Sequence, residues 1–330
     1  MQKIKQLHSK KAKKIFLEYL SSHNIFEKTK DKLIEIKNKY PNTFSKEINF
    51  MIDNVENFFI TPPKMFDKII KNLPEINNEI KYILLGLSLN NSSYYMTSEI
   101  KKYFTNLYFG FTTRPRGFSS DLLKVFGLKC CPYCNLFKLD SKIGGLSYEI
   151  MHLDHFYNRA LYPYFSVSLY NFIPCCATCN SCYKREKDFF EIKHINPHFE
   201  SFDSAVKFSF EMINQDIFSE NQSFYICFSA KNSRKLSFQK ALNCIETFDL
   251  VKRYNKEFPT ILNIFYSRFL YNQDKIDEIF DLFEECNVKN ISKSDIKKYA
   301  YGKFLTNKND LNQNVFSKII NDIENMVNET

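Results

Sequence analysis

The chain has 330 residues, of which 44% are hydrophobic and 16% aromatic, with no tryptophan and a formal net charge of +9. That length can hold one large domain or a few ordinary ones, and the apolar content excludes a chain disordered throughout. The positive balance favours an anionic partner such as nucleic acid without requiring one. The longest apolar run, YILLGLSL, is too short to expect a membrane-spanning helix.

The N-terminal run MQKIKQLHSKKAKK carries six lysines before the first acid, Glu18. It suits the solvated start of a helix or an arm that touches phosphates. The IFLEYL beyond it is interrupted by Glu18 and makes no secretory signal, so the expected location is cytoplasmic. In that reducing setting clustered cysteines point to metal binding before disulfides. Residues 1–125 are expected to form a helical region. Apolar residues recur at three- and four-residue spacings over 13–20, 31–40, 65–73 and 79–89, separated by Pro41, Pro62, Pro63 and Pro74. Ser119 and Ser120 suit the N-cap of a helix over DLLKVFGL, with Gly127 near its end. Arg114 and Arg116, around a proline, suit a solvated turn.

Residues 126–200 carry the chemistry. Between Cys130 and Glu186 lie seven of the ten cysteines, in two clusters with His152 and His155 between them. Cys131-x-x-Cys134 and Cys176-x-x-Cys179 are two knuckles, each able to offer two thiolates from a tight turn to one tetrahedral zinc. Cys130, Cys175 and Cys182 crowd the knuckles, and Cys179 with Cys182 repeats the spacing, which leaves the ligand register open. Cys227, Cys244 and Cys286 sit on apolar stripes and read as core residues. Asp154 offers a hard oxygen suited to Mg²⁺, and His155 is a base whose ordinary pKa is about 6.5. Successive strand residues face opposite sides, so these two share a site only where alternation fails. By itself an Asp-His pair is more simply a satisfied structural pair. Asn171, in LYNFIP, and Asn180, directly after the last knuckle cysteine and opening a helix, make the pattern more specific.

Residues 201–330 are expected to form a hairpin and then helices. AVKFSFEM and FYICFSA alternate apolar and polar positions and predict two strands paired over a turn near 219–223. From Ser237 the period becomes helical, with further helices over 258–271, 275–286, 293–305 and 310–326.

The stretch from Cys130 to Lys187 resembles the HNH endonucleases of the ββα-metal type, in particular bacterial members with a four-cysteine zinc site. It covers about a sixth of the chain. HINPHFESFDSAVKFSF and LNCIETFDLVKRYN are similar to the segments C-terminal to the core in long bacterial proteins of this kind, many found near phage-defence genes. The resemblance implies that His155 is the general base activating water and that Asn171 fixes the loop facing it. It implies that Asp154 and Asn180 bind a catalytic Mg²⁺ or Mn²⁺, while Cys131, Cys134, Cys176 and Cys179 hold a structural Zn²⁺ with no open coordination position. Asn180 stands where the family's third histidine would be. Asn158 and Arg159 stand where relatives often carry Pro-Lys, so a phosphate contact by Arg159 is suggested by position, as it is for Lys184 one turn beyond Asn180. His152 would be the base in a shifted register. His194 and His198 read as structural or surface residues.

The expected architecture is therefore α+β: a zinc-stapled ββα-metal (HNH) core at 126–200, an N-terminal helical region at 1–125, and a C-terminal β-hairpin plus helices at 201–330. The implied activity is metal-dependent hydrolysis of phosphodiester bonds in DNA, in anti-phage defence and with a partner ATPase. An RNA substrate, or a non-catalytic zinc-dependent nucleic-acid-binding module, are the rival expectations.

Overall fold

The computed structural model describes residues 4, 6–87, 91–112, 118–139, 151–213, 224–231, 236–302 and 314–329. The described residues form a mixed α+β chain, mostly helical, with two small antiparallel sheets. Packing divides the chain into two units, one of Lys3–Leu128 with Asp140–Glu200 and the other of Met1–Gln2, Lys129–Leu139 and Ser201–Thr330. Among the described residues no helix is long and apolar enough to cross a membrane.

The first unit begins with helices α1 (Gln6–Ser22), α2 (Ile25–Lys39), α3 (Ser45–Asp53), α4 (Val55–Ile60), α5 (Phe66–Lys71), α6 (Pro74–Leu84), α7 (Asn91–Thr112) and α8 (Phe118–Phe126). In α2 the buried residues Ile25, Thr29, Leu33 and Ile36 fall at the spacing that keeps one helix face inward. The helix expected over 79–89 instead starts at Pro74 and stops at Leu84. Proline at a first helical position needs no N–H partner and presets φ, so Pro74 opens the helix that it was expected to precede. Gly86, at φ +73, comes just after the helix end in a conformation that suits a residue without Cβ. Ser119 and Ser120 lie inside the first turn of α8 rather than before it. Arg114 and Arg116 lie outside the described residues. The aromatic content is spent on the core of this unit, where Phe66 meets Phe165 edge-on at 4.5 Å and Phe111 stacks on Phe172 at 5.3 Å.

Strands β1 (Met151–His155) and β2 (Phe172–Cys176) then pair antiparallel, from Met151 opposite Cys176 to His155 opposite Phe172. Residues directly opposite share a face, so His152, Asp154, Ile173 and Cys175 lie on one side and His155 with Phe172 on the other. A π-helix, Thr178–Lys184, comes almost directly after β2. Its wide turn is closed by Arg185 N–H donating to Asn180 O at 3.0 Å, and it ends on Arg185 at φ +48. Such turns are rare and concentrate at functional sites.

The second unit contains the Lys129–Leu139 loop, strands β3 (Val206–Met212) and β4 (Phe224–Ala230), and helices α9 (Leu236–Thr247), α10 (Leu250–Lys256), α11 (Phe258–Leu270), α12 (Gln273–Glu285), α13 (Lys293–Tyr301) and α14 (Ser317–Glu329). The two strands read from alternation are present and pair antiparallel, Val206 with Ala230 through Met212 with Phe224. The turn expected near 219–223 lies outside the described residues. Helix α14 packs on β3 through a polar anchor: Phe208 N–H donates to Asp322 Oδ2 at 2.8 Å, and Lys318 pairs with both Asp322 and Asp203.

Candidate active site and cysteine cluster

Two tight turns present the knuckle thiols. In the first, Asn135 N–H donates to Cys131 O at 2.8 Å and Cys131 N–H to Phe137 O at 2.9 Å, with Asn135 at φ +56, a conformation that asparagine tolerates. In the second, Cys179 N–H points at Cys176 Sγ, 3.4 Å away, as an amide does toward a thiolate. Cys131, Cys134, Cys176 and Cys179 are all buried, and their sulfurs lie within 4.8 Å of one another. Four Zn–S bonds of about 2.3 Å in a tetrahedron place sulfurs about 3.8 Å apart, so this cluster fits a zinc ion after a small contraction. Among the described residues these four cysteines are the set that could hold a metal ion. Cys130 lies outside the set and accepts a hydrogen bond from Asn135 Nδ2 at 3.1 Å, and Cys182 is exposed.

His155 ends β1 on the inner face, 8% exposed, with Tyr108 of α7 at 4.8 Å and Phe172 at 5.2 Å between ring centroids. Its Nε2 lies 2.8 Å from the Ser166 carbonyl. A carbonyl only accepts, so Nε2 carries the proton and the basic lone pair is on Nδ1. Among the described residues Nδ1 makes no hydrogen bond, yet it is not one of the fully enclosed polar atoms, unlike His198 Nδ1. Burial holds the His155 pKa down to about 4, against the upward pull of the Ser166 carbonyl and the Asp154 charge, so the ring is neutral near pH 7.

Asn171 is fully buried and ties the loop after β1 to β2. Its Oδ1 accepts from Tyr157 N–H at 2.7 Å, while Nδ2 donates to Tyr157 O at 3.0 Å and Phe165 O at 3.1 Å. Ser166, which orients His155, is the next residue of that loop.

On the other face of β1, Asp154 is 4% exposed and Lys184 1% exposed. Lys184 Nζ donates to Asp154 Oδ1 at 2.9 Å and to His155 O at 2.6 Å. Lys184, expected from its position to reach a phosphate, has its ammonium turned inward on these two partners. Asn180 meets His152 instead of Asp154: Nδ2 lies 3.1 Å from His152 Nδ1, leaving the amide oxygen open. His152 and Asp154 share this face, so a carboxylate, an imidazole, an amide and an ammonium are gathered on one side of the strand, while His155 stands at its end on the other. Arg159 is exposed and its guanidinium lies 4.6 Å from the centre of the Tyr108 ring that packs on His155. Sequence reasoning missed Tyr108 and Ser166. Neither sits in a motif, and only packing brings them to the histidine.

His194 stacks on Phe189 at 3.7 Å, and His198 Nε2 meets the Phe172 carbonyl at 2.8 Å. Burial lowers the His198 pKa to about 4 despite that carbonyl. An unfolded histidine takes up its proton near about 6.5. Between that pH and about 4 the unfolded chain therefore binds more protons than the folded one. The contribution to stability is complete above the unfolded value and is lost as pH falls, by about 3 kcal/mol at the acid end. Urea unfolding at neutral pH and at pH ~5 is expected to show a smaller acid loss for His198→Gln than for wild type. Equal losses would contradict the assignment.

Compared with known proteins, the chain matches no family model, no curated protein and no solved structure.

Proposed function

We propose that this chain is a divalent-metal-dependent HNH endonuclease that hydrolyses phosphodiester bonds in DNA, with a structural zinc in its cysteine cluster. The observation that carries the proposal is His155: a neutral imidazole whose proton is pinned on Nε2 by the Ser166 carbonyl, with Nδ1 as its one proton-accepting nitrogen. A general base needs this tautomer and this protonation state at neutral pH. Asn171 supports it by holding the loop that carries Ser166.

The donor set on the neighbouring face suits a hard cation. Asp154 supplies a carboxylate and Asn180 an amide oxygen, and Mg²⁺ is commonly held by one or two protein oxygens with water completing its shell. Such an ion, when bound, polarises the phosphoryl oxygens and stabilises the departing one. Lys184 orients Asp154, whose carboxylate would also hold the cation. Arg159, exposed beside Tyr108, places a guanidinium where a phosphate approaching His155 would meet it. His155 Nδ1 takes the proton of the attacking water.

One observation favours a second reading. Asp154 and Lys184 form a buried ion pair that already satisfies both charges, as a polar element of a folded core does, and a non-catalytic zinc-dependent nucleic-acid-binding module would need no more. The test is the cation requirement. Mild EDTA that leaves the zinc in place is expected to stop DNA cleavage without changing the circular dichroism spectrum, and excess Mg²⁺ or Mn²⁺ to restore it. Undiminished cleavage in EDTA would contradict a catalytic role for Asp154 and Asn180.

A further inference from the structure

Within the first unit, well separated in sequence from the His155 site, the turn between α2 and α3, helix α6 and the start of α7 enclose a cleft of about 450 Å³. Its lining includes Phe44, Glu75, Asn78, Glu79, Tyr82 and Ser93. Glu79 is the anomaly. It is 3% exposed, it makes no hydrogen bond or ion pair among the described residues, and its Oε1 is sealed from solvent without a donor. Buried carboxylates are ordinarily paired or hydrogen-bonded, because leaving water without a partner is costly. Asp154 and Asp322 of this same chain obey that rule, each with a lysine.

The lining tells what kind of partner is missing. Glu75 lies one turn before Glu79 on α6, so two like charges face one space, and no lysine or arginine is among the residues around it, in a chain whose net charge is +9. The remaining groups are amides, hydroxyls and two aromatic rings, Phe44 and Tyr82. Phe44 is held at φ +46, a conformation that a bulky residue seldom adopts. A metal ion is a poor match: among the described residues the cysteines are the one set of three or more metal-ligating side chains brought together. The volume is that of a small-molecule site, far beyond one ion or one water. Carboxylates answer N–H donors, and aromatic faces answer the positive charge.

We propose that this cleft binds a free small organic cation, an aliphatic ammonium or guanidinium compound, with Glu79 as its counter-ion and Glu75 at the mouth. The purified full-length chain is to be titrated calorimetrically with agmatine, arginine and spermidine, with urea and Mg²⁺ at matched ionic strength as controls, and with N-acetyl-arginine amide to imitate a side chain presented by a peptide. Expected is saturable one-to-one binding of at least one free cation and none of urea. Glu79→Gln, which keeps the shape and removes the charge, is expected to weaken that binding by about tenfold or more. Glu75→Gln, at the exposed mouth, is expected to weaken it less, and it carries the test if Glu79→Gln fails to fold. The proposal is overturned if no free cation saturates, if only the peptide mimic binds, if urea binds equally, or if both variants bind as wild type does.

Discussion

Cys134→Ser is expected to yield a protein that holds no stoichiometric zinc and unfolds far below the wild type. Cys134 is one of four buried cysteines whose sulfurs lie within 4.8 Å. Binding of a structural zinc by such a set is worth on the order of 10 kcal/mol, comparable with the whole stability of a domain. Removing one thiolate leaves three and an alcohol that is a weak ligand, so most of that free energy is lost. Cys130→Ser is the matched control. It is equally buried and adjacent in sequence, but lies outside the set, where its sulfur accepts a hydrogen bond from Asn135 that a serine oxygen can also accept. Elemental analysis and thermal melting of the two variants give the result directly. Equal zinc content in both, or a folded wild type without zinc, would remove the metal from the account.

His155→Gln is expected to lower the cleavage rate about 10²- to 10⁴-fold, or roughly 3 to 5 kcal/mol of transition-state stabilisation. Glutamine is chosen because alanine would also empty the space between Tyr108 and Phe172 and leave the Ser166 carbonyl without its donor. The glutamine amide can still donate to that carbonyl, but it has no group that accepts a proton at neutral pH. Fold and zinc content should be kept. His155 holds its pKa down to about 4, so the wild-type rate should show no rising limb from His155 between about pH 6 and 8. A steep rise there, abolished in His152→Gln, would move the base to His152, the imidazole that faces Asn180.

The parts legible in the sequence are those whose signal is local. A C-x-x-C knuckle is a single turn, and the alternation of Val206, Phe208 and Phe210 against Lys207 and Ser209 is a property of one strand, so both were readable from one window of residues. The choice of Cys131 over Cys130, and of Cys179 over Cys182, depends on where each knuckle's sulfurs point once the other is present, and spacing alone left it open. Helix α7 escaped because NSSYYMTSEIKKYFTNLYFGFT is rich in serine, threonine and aromatics, which favour helix weakly. Tertiary burial of Met96, Ile100, Phe104 and Phe111 holds it instead. For the same reason Tyr108 could not be assigned to His155 beforehand. The four-residue spacing puts Lys184 on the Asn180 side of an α-helix, whereas Thr178–Lys184 is a π-helix and Lys184 turns its ammonium to β1. Its partner, Asp154, lies 30 residues earlier, and no pattern in the sequence marks a lysine that will turn inward.

The most direct measurement of the central claim is incubation of the purified chain with supercoiled plasmid, linear duplex, single-stranded DNA and RNA, each with Mg²⁺, with Mn²⁺ and with EDTA, beside His155→Gln under every condition. Expected are cation-dependent cutting of DNA by the wild type, none in EDTA, and at least a hundredfold slower cutting by the variant. Cutting by His155→Gln at the wild-type rate, or an intact set of DNA substrates under every metal condition with the zinc in place, would contradict it.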